Sequence, residues 1–520
     1  MTKKKLTAII ALVLSLLLAL SGCSAPDSYS SGASSPPSPG DYGDYDDYYD
    51  PYYSYSQGES YLEIEELGFQ LVEAKPESTF SLKVDTASYS NIQRFIKNGD
   101  LPPKDAVRTE ELINWFSYDE PLEFSAGSPF GFYTEIGPSP FDDEKLLAMI
   151  RVGTREVDRE DLPPCNLVFL IDVSGSMGSY DKLPLLQDSL VMLCGELGPE
   201  DTVSIVTYAS GTRVALSGAS GADTKKIENT INRLSSGGST AGAGGIQLAY
   251  EQAQKYFIEG GNNRVILATD GDFNVGISDL GELSDFISEK RETGVYLSVL
   301  GFGTGNIRDD IMETLARDGN GNYSYIDSLR TAEKVLVNEL SSNLFTVADD
   351  VKAQIVFDPD TVYSYRLIGY ENRMLQTEDF DNDRKDAGEI GAGSDVVALF
   401  ELEPLGEGAA ANDHLFDVRV RYKDPGESKS QLIEFPVAMQ RLGSENTSDF
   451  NFACAVALFG DYLRTYGYSL DDYDLDDVYD HDEKLQFFDN LYRLALYNDG
   501  VDEQGYRADF RELITELYYL

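Results

Sequence analysis

The sequence predicts an α/β fold: a doubly wound domain at the centre of a chain of 520 residues, flanked by mixed or antiparallel β segments and followed by a helical C-terminal region. Three observations predict it. Apolar runs that end in a carboxylate occur twice, Leu167 to Ile171 before Asp172 and Val265 to Thr269 before Asp270. Such runs, bounded by turn residues, read as strands buried on both faces, which belong to parallel sheets covered by helices. Between residues 166 and 347 strand and helix patterns alternate regularly, as βα repeats require. Beyond residue 348 the apolar period becomes two, as from Phe416 to Tyr422, the pattern of an antiparallel sheet with one wet face.

Taken in order, the chain opens with Lys3 to Lys5, an apolar run from Leu6 to Leu20, and Ser21-Gly22-Cys23. An ordinary secretory signal or an uncleaved anchor would share the first two features. The cysteine directly after small residues resembles the bacterial lipoprotein lipobox. That resemblance implies a signal peptide over residues 1–23, acylation at Cys23 and a lipid anchor on an extracytoplasmic membrane face, without a spanning helix. Residues 24–60 are rich in Ser, Gly and Pro, then in Asp and Tyr, and have no apolar period. They read as a disordered tether reaching on the order of 120 Å if extended.

Residues 61–160 form a mixed segment. A strand is expected from Phe80 to Val84, a helix from Ala87 to Asn98 capped by Asp85-Thr86 and stopped by Gly99, and a short helix from Arg108 to Phe116. Trp115 reads as core. Two further strands follow, from Gly131 to Ile136 and from Lys145 to Val152. The central domain, 165–347, has predicted strands at 167–172, 202–208, 212–216, 264–269, 295–301 and 323–327. Its predicted helices lie near 182–196, 223–234, 242–257, 279–290, 308–318 and 330–345. The short connection through Ala209-Ser210-Gly211 predicts an antiparallel hairpin at one edge. In 348–520, five strands (351–357, 363–370, 396–402, 415–422, 431–437) precede three helices (449–464, capped by Ser448, then 483–497 and 507–519). Because doubly wound domains tolerate insertion through close termini, segments 130–152 and 351–437 are expected to pair into one sandwich around the central domain.

Composition bounds the function. With 90 acidic and 41 basic residues the formal charge is -49, which argues against nucleic acid or an anionic lipid surface as partner. The two histidines, His414 and His481, sit beside no nucleophile, so no catalytic residue is expected and the chain is not read as an enzyme. Of the four cysteines, Cys194 and Cys454 lie in helical patterns and read as buried thiols; a Cys165–Cys194 disulfide is the alternative for that pair.

The chemistry lies at the strand ends. Asp172, Ser174 and Ser176 are hard oxygen donors at steps of two. Gly237-Gly238-Ser239-Thr240-Ala241-Gly242 offers a hydroxyl in a glycine-rich loop, and Asp270-Gly271 closes the second buried strand. Each piece alone has a plain reading, a helix cap or a turn. Together they resemble the metal-ion-dependent adhesion site of the von Willebrand factor A domain: Asp-x-Ser-x-Ser, a distant Thr and a later Asp. The resemblance implies Mg²⁺ (or Mn²⁺) held by Ser174, Ser176 and Thr240, with Asp172 and Asp270 direct or through water, and an open position for an acidic residue of a protein partner. Glycines 237, 238 and 242 would allow Thr240 to come close. Asp272 and Asn274 read as surface or supporting residues.

Other motifs are weaker. Gly237 to Gly245 lacks the Lys of a phosphate-binding loop, and Gly301 to Gly305 lacks dinucleotide spacing. Asp379, Asp381 and Asp383 imitate the start of a calcium loop, but position twelve is Ile390. Residues 473–482 read as an acidic linker. Val84 to Tyr89 and Asp386 to Gly393 resemble stretches of bacterial lipoproteins that carry a von Willebrand A domain, a likeness covering about 78–515. The resulting expectation is a membrane-anchored protein-binding module, or alternatively an envelope-complex component that organises partners without adhesion. Given the charge, the partner is expected to be basic around its acidic contact, with association slowing as salt rises.

Overall fold

The computed structural model describes residues 58–158, 161–239, 244–271, 280–406, 413–439, 445–466, 481–497 and 502–520. All lie within one compact unit, Tyr52–Leu520. Cys23, the tether as far as residue 57, Thr240, Gly242, Asp272, Asn274 and the acidic stretch up to residue 480 lie outside the described residues.

The central sheet runs Tyr323–Ile326, Tyr296–Phe302, Asn262–Thr269, Cys165–Asp172, Thr202–Tyr208, Thr212–Ser220. All neighbours are parallel except the last pair, the expected edge hairpin. Successive side chains of a strand point to opposite faces, so the apolar run of Cys165–Asp172 divides between two cores. Leu167, Phe169 and Ile171 meet Leu186, Leu190 and Ile227 on one side. Val168 and Leu170 meet Ile246, Ala249 and Leu283 on the other. Helices Leu183–Gly195 and Thr224–Ile231 thus cover one face, and Gly245–Lys255, Leu280–Arg291 and Asp309–Asp318 the other, which is the doubly wound arrangement.

The last helix departs from the expected single element over 330–345. It breaks into Leu329–Glu333, a π turn over Lys334–Asn338, and Leu340–Leu344. The irregular turn accompanies the burial of Lys334, whose ammonium lies 5.0 Å from the Trp115 ring and 4.8 Å from the Tyr506 ring.

Segments before and after the central domain share two antiparallel sheets, as the insertion expectation required. Leu146–Thr154 pairs with Asp395–Pro404 in register from Leu146↔Leu402 to Gly153↔Asp395. Thr346–Phe357 pairs with Glu77–Ser81 on one side and His414–Lys423 on the other. Phe130, Ile150, Phe357, Phe400 and Phe416 belong to the core between them.

Three expectations need correction here. The wet face holds for His414–Lys423, whose Asp417, Arg419 and Arg421 are only partly buried, but not for the other sheet. There the second face, with Leu147, Met149, Val397 and Leu399, is covered by helices Ala87–Lys97, Ser448–Tyr466 and Tyr506–Tyr518. Nor does the side chain of Thr86 cap its helix. Asp85 instead accepts from the Tyr323 amide (2.9 Å) and binds Arg373 (2.7 Å), tying this segment to the central domain. At Ser448, the preceding Thr447 hydroxyl accepts from the Phe450 amide (3.2 Å) and so supplies the cap.

The central domain is joined to its flanks by a buried ion cluster. Arg108 reaches Glu111 and Asp309, each at 2.6 Å, and Arg373 reaches Asp85 and Glu313. Burial pushes the Glu111 carboxyl up to about 8, against the attraction of Arg108.

Cys165, Cys194 and Cys454 are buried, and the alternative Cys165–Cys194 bridge is not formed. Asp381 and Asp383 bind Arg421 at 3.0 and 3.1 Å, making the calcium-like stretch an ion-paired loop. Among the described residues no helix is long and apolar enough to cross a membrane.

Candidate metal centre

Strands Cys165–Asp172 and Asn262–Thr269 are the central neighbours of the sheet, paired up to Ile171↔Ala268, so Asp172 and Asp270 emerge near one another at its carboxyl-terminal edge. Asp172 is fully buried. Its Oδ1 accepts the Ser174 amide at 2.7 Å, which fixes the carboxylate and turns the backbone so that Ser174 Oγ lies 2.9 Å from Ser176 Oγ. Its Oδ2 is buried and meets no donor at hydrogen-bonding distance among the described residues. Burial, with a smaller contribution from the charge of Asp270, pushes the Asp172 carboxyl up to about 6, against the lowering effect of Ser174. Tyr208, paired with Asp172 across the strands, is buried beside the same carboxylate, and burial followed by the Asp172 charge raises its hydroxyl.

The glycine-rich loop reaches this edge through backbone bonds. Gly175 N donates to Gly238 O (3.0 Å) and Gly237 N to Val173 O (2.9 Å). Gly238 has φ +86°, and a Cβ there would meet Ser210 Oγ at 2.3 Å. The glycine-rich loop is therefore attached beside Ser174 through Gly237 and Gly238, with the Ser239 amide donating to Ser210 Oγ (2.9 Å), while Thr240 lies outside the described residues.

The structure adds two groups that the sequence reading missed. Lys182, 7% exposed, places its ammonium 2.8 Å from Asp270 Oδ2 and 3.0 Å from Asn306 Oδ1. A lone lysine at the start of an apolar helix carries no motif, and Asn306 lies between the strand expected at 295–301 and the helix expected near 308–318, with no motif of its own. That loop is held in turn by the first described residues. Ser60 N donates to Ile307 O (2.9 Å), Gly305 N donates to Glu59 Oε1 (3.0 Å), and Glu59 is bound by Arg94.

The donor set fits a hard divalent cation. It offers one buried carboxylate oxygen without a partner, two hydroxyls within reach of each other and a second carboxylate at the same edge. Mg²⁺ prefers such oxygens, with few direct carboxylates and several waters. Among the described residues no cluster of three or more His, Cys, Asp or Glu could hold a metal.

Comparisons with known proteins agree with this architecture in three consecutive parts. Residues 166–338 match the von Willebrand factor type A domain, 55–149 a model described as von Willebrand factor, and 342–520 the C-terminal model of uncharacterized protein YfbK. YfbK of Escherichia coli (strain K12) is 41% identical over 476 residues, covering 87% of this chain and 80% of that protein. Human inter-alpha-trypsin inhibitor heavy chain H1 is 29% identical over 166 residues, 30% of this chain but only 18% of that protein. The solved von Willebrand factor type A structure from Catenulispora acidiphila aligns at 16% identity and a TM-score of 0.41, covering 75% of this chain and 91% of its own. The chain belongs to the YfbK family of bacterial proteins, with a von Willebrand factor type A domain at its centre.

Proposed function

We propose that this protein is a membrane-anchored, extracytoplasmic binding protein that recognises a carboxylate on a protein partner through a divalent cation. Asp172, Ser174, Ser176, Thr240 and Asp270 would hold the ion, and Cys23 would carry the lipid. The observation that carries the reading is the orphaned, buried Oδ2 of Asp172 beside the paired hydroxyls of Ser174 and Ser176. A buried carboxylate oxygen without a donor is costly, and a cation removes that cost. A von Willebrand factor type A domain, the match at 166–338, usually mediates protein–protein interaction, which supports binding as the role.

The chain's own residues prepare the site. The Ser174 amide orients Asp172 through Oδ1, leaving the buried Oδ2 without a donor at hydrogen-bonding distance among the described residues. The bonds from Gly175 and Gly237 keep the glycine-rich loop at that edge. Tyr180, 87% exposed and four residues beyond Ser176, offers an aromatic contact for a partner. A bound Mg²⁺ supplies an electrophilic position for a carboxylate oxygen.

The test is cross-linking capture on intact cells with and without chelator. Chelator and Asp172→Ala should each abolish the same captured protein, and Cys23→Ala should release the chain from the membrane fraction. Partners retained in chelator would refute metal-dependent recognition. Membrane retention of the Cys23 variant would refute the anchor.

A further inference from the structure

We propose that Lys182 is a resident counter-cation of the metal centre: its ammonium holds Asp270 when no divalent ion is bound, and its charge keeps the affinity for that ion low. The inference rests on the metal reading above and concerns a residue outside the five-residue motif.

The position is built for the ammonium. The Lys182 stem runs over Gly303, where φ is +76° and a Cβ would lie 2.3 to 2.7 Å from three of its carbons. Any side chain at 303 would close that passage. At its end the ammonium finds two fixed acceptors, Asp270 Oδ2 at 2.8 Å and Asn306 Oδ1 at 3.0 Å. Asn306 cannot follow a departing lysine easily, because Gly305 and Ile307 on either side of it are bound by Glu59 and Ser60. The ion pair is buried, with Asp270 at 0% and the Lys182 side chain at 9% exposure. Charges screened so little act strongly on one another.

Charge arithmetic gives the consequence. Asp172 and Asp270, when ionised, bring two negative charges and Lys182 one positive. A divalent ion then leaves a surplus of one positive charge, which the carboxylate of a partner neutralises. With a neutral residue at 182 the ion alone would balance the site. Lys182 thus opposes the ion and favours the carboxylate, making their binding cooperative. It also gives the buried Asp270 carboxylate a compensating positive charge in the metal-free site.

The experiment compares full-length wild type with Lys182→Gln and Lys182→Met, the glutamine keeping a donor for Asp270 if the methionine variant fails to fold. Mn²⁺ affinity is measured by calorimetry, and melting temperature in chelator and in saturating Mn²⁺. Each folded variant should bind Mn²⁺ more tightly by on the order of tenfold, the scale of one poorly screened charge. Each should melt lower than wild type in chelator and show a larger rise with Mn²⁺. Unchanged or weaker Mn²⁺ binding in a folded variant would overturn the counter-cation role and make Lys182 a positioning group for Asp270. Failure of the metal reading has a different signature: wild type that binds no Mn²⁺, or Asp172→Ala that binds it as well as wild type.

Discussion

Gly271→Ala tests how closely the candidate centre depends on backbone approach. Gly271 follows Asp270 directly, has φ +105°, and brings its backbone against the 306–308 loop. A Cβ there would lie 2.4 Å from Asn306 O, 2.7 Å from Arg308 N and 3.0 Å from Ile307 Cα. These are backbone atoms, so no rotamer relieves the overlap. Positive φ costs a non-glycine residue about 1–2 kcal/mol, and overpacking in a rigid site adds about 1–3 kcal/mol. The expected loss is therefore roughly 2–5 kcal/mol. Gly260→Ala is the control: φ is +72° but nothing lies within 4 Å of the added carbon, so only the conformational cost applies. The assay is urea unfolding of both variants, followed by circular dichroism and by the fluorescence of Trp115, the sole tryptophan. Gly271→Ala should be the less stable of the two by at least about 1 kcal/mol. It should also lose Mn²⁺ affinity, since the strained backbone directly follows Asp270, one of the proposed ligands. Equal losses in the two variants, or full Mn²⁺ affinity in Gly271→Ala, would refute the close-approach argument.

Three further outcomes are expected. Arg108→Met leaves Glu111 and Asp309 without their shared guanidinium, all buried, and should cost about 3–5 kcal/mol by urea unfolding; a loss below about 1 kcal/mol would show that the cluster does not join the domains. Glu111 is raised from the usual carboxylate range to about 8, so its contribution to stability is complete below about pH 4.5 and is lost as pH rises toward 8. Melting temperatures across that window should fall more steeply in wild type than in Glu111→Gln, and parallel curves would count against the shift. Burial pushes the Cys194 thiol up to about 12 and raises Cys454 as well, so maleimide should label neither in native protein near neutral pH and both in urea, as read by peptide mass spectrometry; native labelling would contradict their burial.

Much of the candidate centre was legible in the chain because its signals are local. Asp172, Ser174 and Ser176 follow one apolar run, Asp270 ends another, and short-range bonds such as Ser174 N to Asp172 Oδ1 arise within two residues. Period two and period 3.6 likewise located nearly every strand and helix of the central domain. The errors at Thr86 and in the last central helix share one cause. Partners distant in sequence, Tyr323 and Arg373 for Asp85 and Trp115 and Tyr506 for Lys334, outweigh local propensity.

By itself, then, the sequence determined the class of the central domain, the order of its elements and the residue types gathered at its strand ends, since periodicity and turn chemistry act over a few residues. Tertiary structure alone decided what fills the space around them. Only folding pairs Leu146–Thr154 with Asp395–Pro404 across an inserted domain and buries that sheet on both faces. Only folding brings Lys182 to Asp270, 88 residues away, because neither side chain carries any trace of the other in its local pattern. The physical reason is the same in each case: burial rewards contacts by proximity in space, whereas a repeating pattern records only neighbours along the chain.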